Sequence, residues 1–385
     1  MPPRCRRRRG AGELVRPGIR RAGANAAGAR ERRRAMSAFW RGVGLIMALE
    51  LKQRVRGVAW YVILGIFFVL VGLVTIGGWV ITGFGHSSGV LFSSIVYFVL
   101  LLASLISPAL SGNAINGERE GGTLATIQVT SITTAQIVIG KWLAAWLASL
   151  VLLVATLPFL GIVVAIGDVS AATVASSLAV LTAELGILSA FGVGLSGLIR
   201  NPVFSVVVSY LLVAALSLGT LIAFSIAGSV TQVTVSSTSI EARYDSDGDY
   251  LGCGAPSTST YTMPRFDPYW GLLVVNPYVV VADASTGDFD EGGQPLDLFG
   301  FIAVAVRQAQ IMPDTDPYYD YCVDSTSTSW GGPEIATGEE LMRSGAPSWF
   351  IGLGLQTVLA GLALFGAWRA TRTPSGRLAS GSRMA

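Results

Sequence analysis

The chain has 385 residues, 51% of them hydrophobic and only 13% charged, with a net charge of +3 and a mean hydropathy of +0.57. A soluble domain would carry about a quarter charged residues, so a single soluble globular unit is excluded. One histidine, His86, is too little for a histidine-rich zinc site or a Ser-His-Asp triad.

Residues 1–35 hold 12 Arg and 2 Glu among Ala, Gly and Pro, without hydrophobic periodicity. With no apolar h-region they are not a secretory signal. They read as a disordered leader, with a basic tail near anionic lipid as the functional alternative. Met36 opens a more conventional start, which leaves translation of this leader open. Its arginines lack aromatic interleaving and a folded context, so nucleic-acid binding is not expected.

Residues 36–57 are expected to lie along the membrane as an amphipathic helix. Trp40, Val43, Met47, Leu51 and Val55 form a stripe, with Arg41, Lys52 and Arg56 on another face. The plainer alternative is a polar extension of the first span.

Apolar runs of ~20 residues read as membrane helices. Six occur, at 58–82, 89–110, 140–165, 174–198, 203–228 and 349–368. An all-α polytopic membrane protein follows as the fold class. Outside the leader and segment 229–347 the chain carries 11 Lys or Arg. With six spans and the N-terminus inside, all of them fall on the cytoplasmic side. The short loops 83–88 and 166–173 have no Lys or Arg, which is the positive-inside bias. Both termini, including the tail 371–385, are then cytoplasmic, and 229–347 is extracytoplasmic.

The segment 111–139, between the second and third spans, is cytoplasmic by the same reasoning. "NGERE" is polar and "GG" interrupts the helix. Thr123 can cap a short helix through Ser131 whose apolar face is Leu124 and Ile127. Such a helix suits docking on a soluble partner; a plain connecting loop is the alternative. "AQIVIGKW" fails as a P-loop, because Ala135 and Trp142 stand where Gly and Ser or Thr are required.

Glu184 lies near the middle of the fourth span. A carboxylate there costs roughly 2.5–3.5 kcal/mol on insertion scales, so it should face other helices or water. Its readings are a substrate or proton contact, or an interhelical hydrogen bond. Gly186, Gly192, Gly194, Ser196 and Gly197 in the same span are small residues that allow close helix approach.

Segment 229–347 holds 17 acids and 4 arginines. It is too long for a bare loop, and its apolar runs "WGLLVVNPYVVVADA" and "LDLFGFIAVAVRQAQ" are expected to cap the outer mouth of the bundle. Cys253 and Cys322 form a candidate disulfide in an oxidising compartment. A bridge would gather Asp245, Asp247, Asp249, Asp314, Asp316 and Asp320. Oxygen clusters of this kind bind Ca²⁺, but the EF-hand pattern fails, and solvated turns are the plainer reading. No metal site is assigned.

The stretch "GEREGGTLATIQVTSITTAQIVIGKWLAA" resembles the E-R-E-x-G-T-L segment of ABC-transporter permeases of the type-2 exporter family. "LELKQRVRGVAWYVILG" resembles that family's interfacial connecting helix, while "NPYVVVADA" and "WRATRTP" resemble its actinobacterial-style members. The resemblance covers most of residues 37–372. It implies a half-transporter in the bacterial plasma membrane, paired as a homodimer or with a second permease. Each would dock on a separate ATP-binding subunit, which alone would hold ATP and Mg²⁺. Glu118, Arg119, Glu120, Gly121, Gly122, Thr123, Leu124 and Ile127 would lie at or beside the docking surface, and Lys141 at the inner end of span three. The family usually has Pro after the short helix, where this chain has Ile132 or Thr133. Neither a catalytic site nor a cofactor is expected in the chain itself. A second reading is a non-transporting anchor or sensor acting through its acidic outer domain.

Overall fold

The computed structural model describes residues 17–82, 88–121, 132–167, 169–322 and 336–372. Six of its helices are long and apolar enough to cross a membrane. Helix α1 (Pro17–Arg56) begins well ahead of Met36, in the stretch expected to be irregular, and a break at Gly57 separates it from the first span, α2 (Val58–Thr82). The second span, α3 (Ser88–Ser111), passes through one turn into α4 (Asn116–Glu120). The third is α5 (Thr134–Ile166). Its start is fixed by a reciprocal capping box between Thr133 and Gln136, which satisfies two otherwise orphaned backbone donors. At 33 residues α5 is about 50 Å long, more than a ~30 Å hydrocarbon layer needs.

The fourth span, α6 (Ala171–Leu198), is the most enclosed of the six. It packs against α3, α5 and the last span, α13 (Trp349–Thr371). Helices α6 and α13 run in the same direction and touch through glycines. A Cβ on Gly194 would lie 2.6 Å from the Ala363 Cβ, and one on Gly197 2.4 Å from that of Ala367. Only glycine permits that approach, and dispersion contact between backbones replaces side-chain packing. The fifth span comprises α7 (Pro202–Ala214), a π-helical turn (Ala215–Gly219) and α8 (Thr220–Val230). Asn201 caps it and Pro202 occupies its first turn, the position where a missing N–H costs nothing.

The segment after span five carries a small sheet that hydropathy did not announce. Its strands are β1 (Gln232–Ile240), β2 (Ala242–Tyr244), β3 (Tyr250–Cys253), β4 (Ser257–Pro264) and β5 (Tyr318–Asp320). β1 is central, antiparallel to β4 and parallel to β5; β2 and β3 form a separate pair. Helices α9 (Gly271–Val274), α10 (Pro277–Ala284), α11 (Leu298–Gln308) and α12 (Gly338–Ser344) complete the segment.

The apolar run 270–284 was expected to cap the bundle. It does more, because α9 and α10 dip between the spans. The Val275 carbonyl accepts from Gln356 Nε2 (3.0 Å), and the Tyr278 carbonyl accepts from Tyr97 Oη (3.3 Å). Gln356 and Tyr97 lie 7 and 9 residues inside their helices, so the dip reaches roughly 10–14 Å below the helix ends. Irregular backbone is tolerated at membrane depth only where protein encloses it. Here Asn276 donates to the Ser217 carbonyl (2.7 Å) in the π-helical turn and to Thr220 Oγ1 (2.9 Å). Val280, Val281 and Phe299 share one apolar core with Phe92, Ile95, Leu181 and Leu185 of the spans.

Candidate functional site

At the end of the bundle where α1, α4 and α5 meet, three charged residues from three elements converge. The Lys141 ammonium of α5 is 2% exposed and donates to Glu50 of α1 and to Glu118 of α4, the latter at 2.7 Å. Such charge-assisted bonds are roughly twice as strong as neutral ones. Close packing brings the lysine there. Gly140 lies against Ile46 and the Val43 carbonyl, and Gly42 lies against the Gln136 amide. Gln136 Nε2 donates to the Phe39 carbonyl (3.1 Å). The packed face of α1 therefore runs from buried Gly42, Val43 and Ile46 to half-buried Glu50 and Arg54; of the expected stripe Val43 is buried, Met47 and Leu51 are half-buried, and Trp40 and Val55 are exposed.

The turn holding α4 is anchored on its other side to the end of α6. Ser196 Oγ accepts from the backbone N–H of Ile115 (2.9 Å), and Asn116 Nδ2 donates to the Ile199 carbonyl (2.5 Å). Arg119 reaches Asn116 Oδ1 (2.9 Å) and the Gly197 carbonyl (3.4 Å). Arg54 Nη2 donates to the Leu110 carbonyl (3.2 Å). The turn holding α4 is thus tied to α5 and α6 directly, and through Lys141 to α1.

Glu118, Arg119 and Glu120 stand on a helical turn, whereas "NGERE" was expected to precede a helix; Gly121 is its C-cap. Gly122, Thr123, Leu124 and Ile127, with the short helix expected over 123–131, lie outside the described residues. Glu184 is fully buried in α6. Cys253 and Cys322 are joined, with Cα atoms 5.4 Å apart. The aspartates around them are occupied with their own turns. Asp245 Oδ1 accepts from the N–H groups of Asp247 and Asp249, Asp314 Oδ1 from that of Asp316, and Asp320 Oδ1 from that of Cys322. Among the described residues no three acids, histidines or cysteines are grouped as a metal site.

Glu50, Asn116 and Gln136 are the residues of this junction that sequence reasoning missed, and Ser196 was read only as a small residue for helix packing. Gln136 was findable, standing three residues after Thr133 in a capping-box spacing. Nothing local marks Glu50, 91 residues from its partner.

A family model described as CcmB protein matches residues 43–244, just over half of the chain. The chain belongs to the CcmB family. The match runs from the buried face of α1 through five spans to β2, so it contains the whole Glu50–Glu118–Lys141 junction. CcmB-family membership makes the chain a multi-pass membrane permease component of an ABC exporter. No curated protein matches it significantly.

Proposed function

We propose that this CcmB-family chain is the translocating half of an ABC exporter, and that the stretch 111–139 is its coupling segment. The observation that carries this reading is the three-way ion cluster. Lys141 ties the start of the segment, at Glu118, to an interfacial helix and to the base of a span. A push on the segment is transmitted because the contacts are short and converge on a buried lysine, and packed elements move as units instead of yielding continuously.

In this reading a separate ATP-binding subunit, with its ATP and Mg²⁺, docks on Glu118, Arg119, Glu120, Gly121, Gly122, Thr123, Leu124 and Ile127. That side is cytoplasmic, as the positive-inside bias supports, and segment 229–347 faces outward. Two permease copies, or this chain and a second permease, form the translocating unit in the type-2 exporter layout.

The test is copurification of the tagged, gently solubilised chain from its native host, beside Glu118→Ala and Leu124→Asp. An ATP-binding protein retained by the parent and lost with Leu124→Asp is the expected result. If no ATPase is recovered and the variants match the parent, the docking reading fails.

A further inference from the structure

Where the end of span five meets the segment that follows it, an open groove of about 570 Å³ lies between them, a size within the range of small-molecule sites. Its floor is Phe224 of α8, six residues short of the helix end and so about 9 Å below it. Met263 and Phe266 form one wall, Ile311 and Met312 the other, and Asp314 completes the lining. The first wall is held in place by the chain itself. The Phe266 ring lies on Gly228, where a Cβ would come within 2.0 Å of it, and its centroid is 5.1 Å from that of Phe224. The Arg265 N–H donates to the Thr231 carbonyl (2.8 Å), and Tyr269 Oη is 2.9 Å from Thr231 Oγ1. These contacts pin the loop after β4 to the end of α8. The second wall is open: Ile311 is 49% and Met312 55% exposed. Large apolar side chains left open at a groove mark a binding surface, and methionine adapts to varied apolar shapes.

Charge decides which apolar molecule fits. Segment 229–347 carries 17 acids against 4 arginines. Three of those arginines are already neutralised: Arg265, beside the groove, by Asp267, Arg307 by Asp283 and Arg343 by Glu339. Asp314 Oδ1 accepts from the Asp316 N–H (3.0 Å), and among the described residues no cation is paired with Asp314. A surface of this sign draws cations and repels anions. Phenylalanine rings add to the preference, because their faces attract positive groups, quaternary ammonium above all. We propose that the groove binds an amphipathic cation. The apolar body lies between the two methionines over Phe224 and Phe266, and the positive group meets Asp314. The site belongs to this chain alone, so it stands or falls apart from any docking of an ATP-binding subunit.

Equilibrium dialysis of octyltrimethylammonium against the full chain in lipid nanodiscs, corrected with empty nanodiscs, tests the assignment. Octanol and octyl sulfate carry the same chain and serve as neutral and anionic comparisons. The cation should bind saturably and about tenfold more tightly than octanol, the sum of one ring contact and one partly exposed ion pair. Octyl sulfate should bind more weakly still. Asp314→Asn should weaken the cation about fivefold and leave octanol unchanged; its amide oxygen still accepts the Asp316 N–H, so the turn is kept. Met312→Lys sets a like charge on the open wall and should abolish binding of the cation. Both positions are exposed, so both variants should melt with the parent, and if Met312→Lys does not, Asp314→Asn decides alone. No saturable binding above empty nanodiscs overturns the proposal. Octanol bound as tightly as the cation also overturns it and marks a groove for a lipid chain. An Asp314→Asn variant with unchanged cation affinity is equally fatal.

Discussion

Replacing Lys141 with Met removes the ammonium and keeps most of the apolar stem. It leaves the Glu50 and Glu118 carboxylates facing each other without their shared donor. Removing one partner of a buried ion pair costs roughly 3–5 kcal/mol. Glu50 and Glu118 keep 15% and 22% of their side-chain exposure, so water reaches both, and the low end, about 3 kcal/mol, is the expected loss. At roughly 2–4 °C per kcal/mol this lowers the melting midpoint by about 6–12 °C. The assay is thermal unfolding in one fixed detergent, followed by tryptophan fluorescence. The control is Lys141→Met combined with Glu50→Gln and Glu118→Gln, which removes all three charges. It should recover most of the loss, because the cost lies in stranded charge and not in a missing contact. A Lys141→Met loss below about 1 kcal/mol, the range of an exposed surface pair, would refute the reasoning. A triple variant as unstable as the single one would do the same.

Three further outcomes are expected. Replacing Cys253 and Cys322 with Ser opens a 69-residue separation, worth about 4 kcal/mol by loop-closure entropy; limited proteolysis should then cut the sheet region sooner while the spans stay intact. Asp297, outside the spans, has its carboxyl pushed up to about 6 from an ordinary 3.8 by burial, helped by the Asp288 carboxylate and opposed by the Gly300 N–H. The folded state then binds this proton more tightly than the unfolded state, so stability is gained as pH falls from about 6 toward 3.8 and lost as pH rises through about 6. Melting curves at pH 5 and 7 should show that difference, and Asp297→Asn should remove it while Oδ1 still caps α11. Gly197→Val forces a Cβ to within 2.4 Å of Ala367 and should cost about 1–3 kcal/mol by overpacking; an unchanged melting midpoint would mean α6 and α13 are not in the contact described.

The spans were legible because charge-free apolar runs of that length have few other uses. Span starts were less so: α5 begins at Thr134, six residues before its apolar run, because the capping box extends it. The run around Asn276 was visibly apolar, but its depth was not. Depth depends on Gln356, Ser217 and Tyr97, whose hydrogen-bond partners are 59 to 181 residues away in sequence. The sheet was hidden by its composition, since the Ser/Thr alternation of β1 reads as a polar linker until β4 supplies the facing hydroxyls: Thr238 pairs with Thr258 and Ser239 with Ser257. Glu118 and Lys141 were singled out separately, and the acid that completes their junction, Glu50, carries no local signature.

The beginning of the last span is finished by a residue from the segment before it. Asp283 Oδ2 accepts from the N–H groups of Ser348 (2.5 Å) and Trp349 (3.0 Å) and from Ser348 Oγ (3.0 Å), while Arg307 closes over Oδ1 (3.0 Å). The same segment, through Asn276, satisfies span five. During synthesis spans one to five can enter the bilayer in order, but α13 arrives with its amino end unfinished. Its amino end finds these acceptors only where the folded insert holds Asp283 against it. A lesion in that insert should be seen first as α13 failing to stay in the bundle, well before any effect on transport is measured.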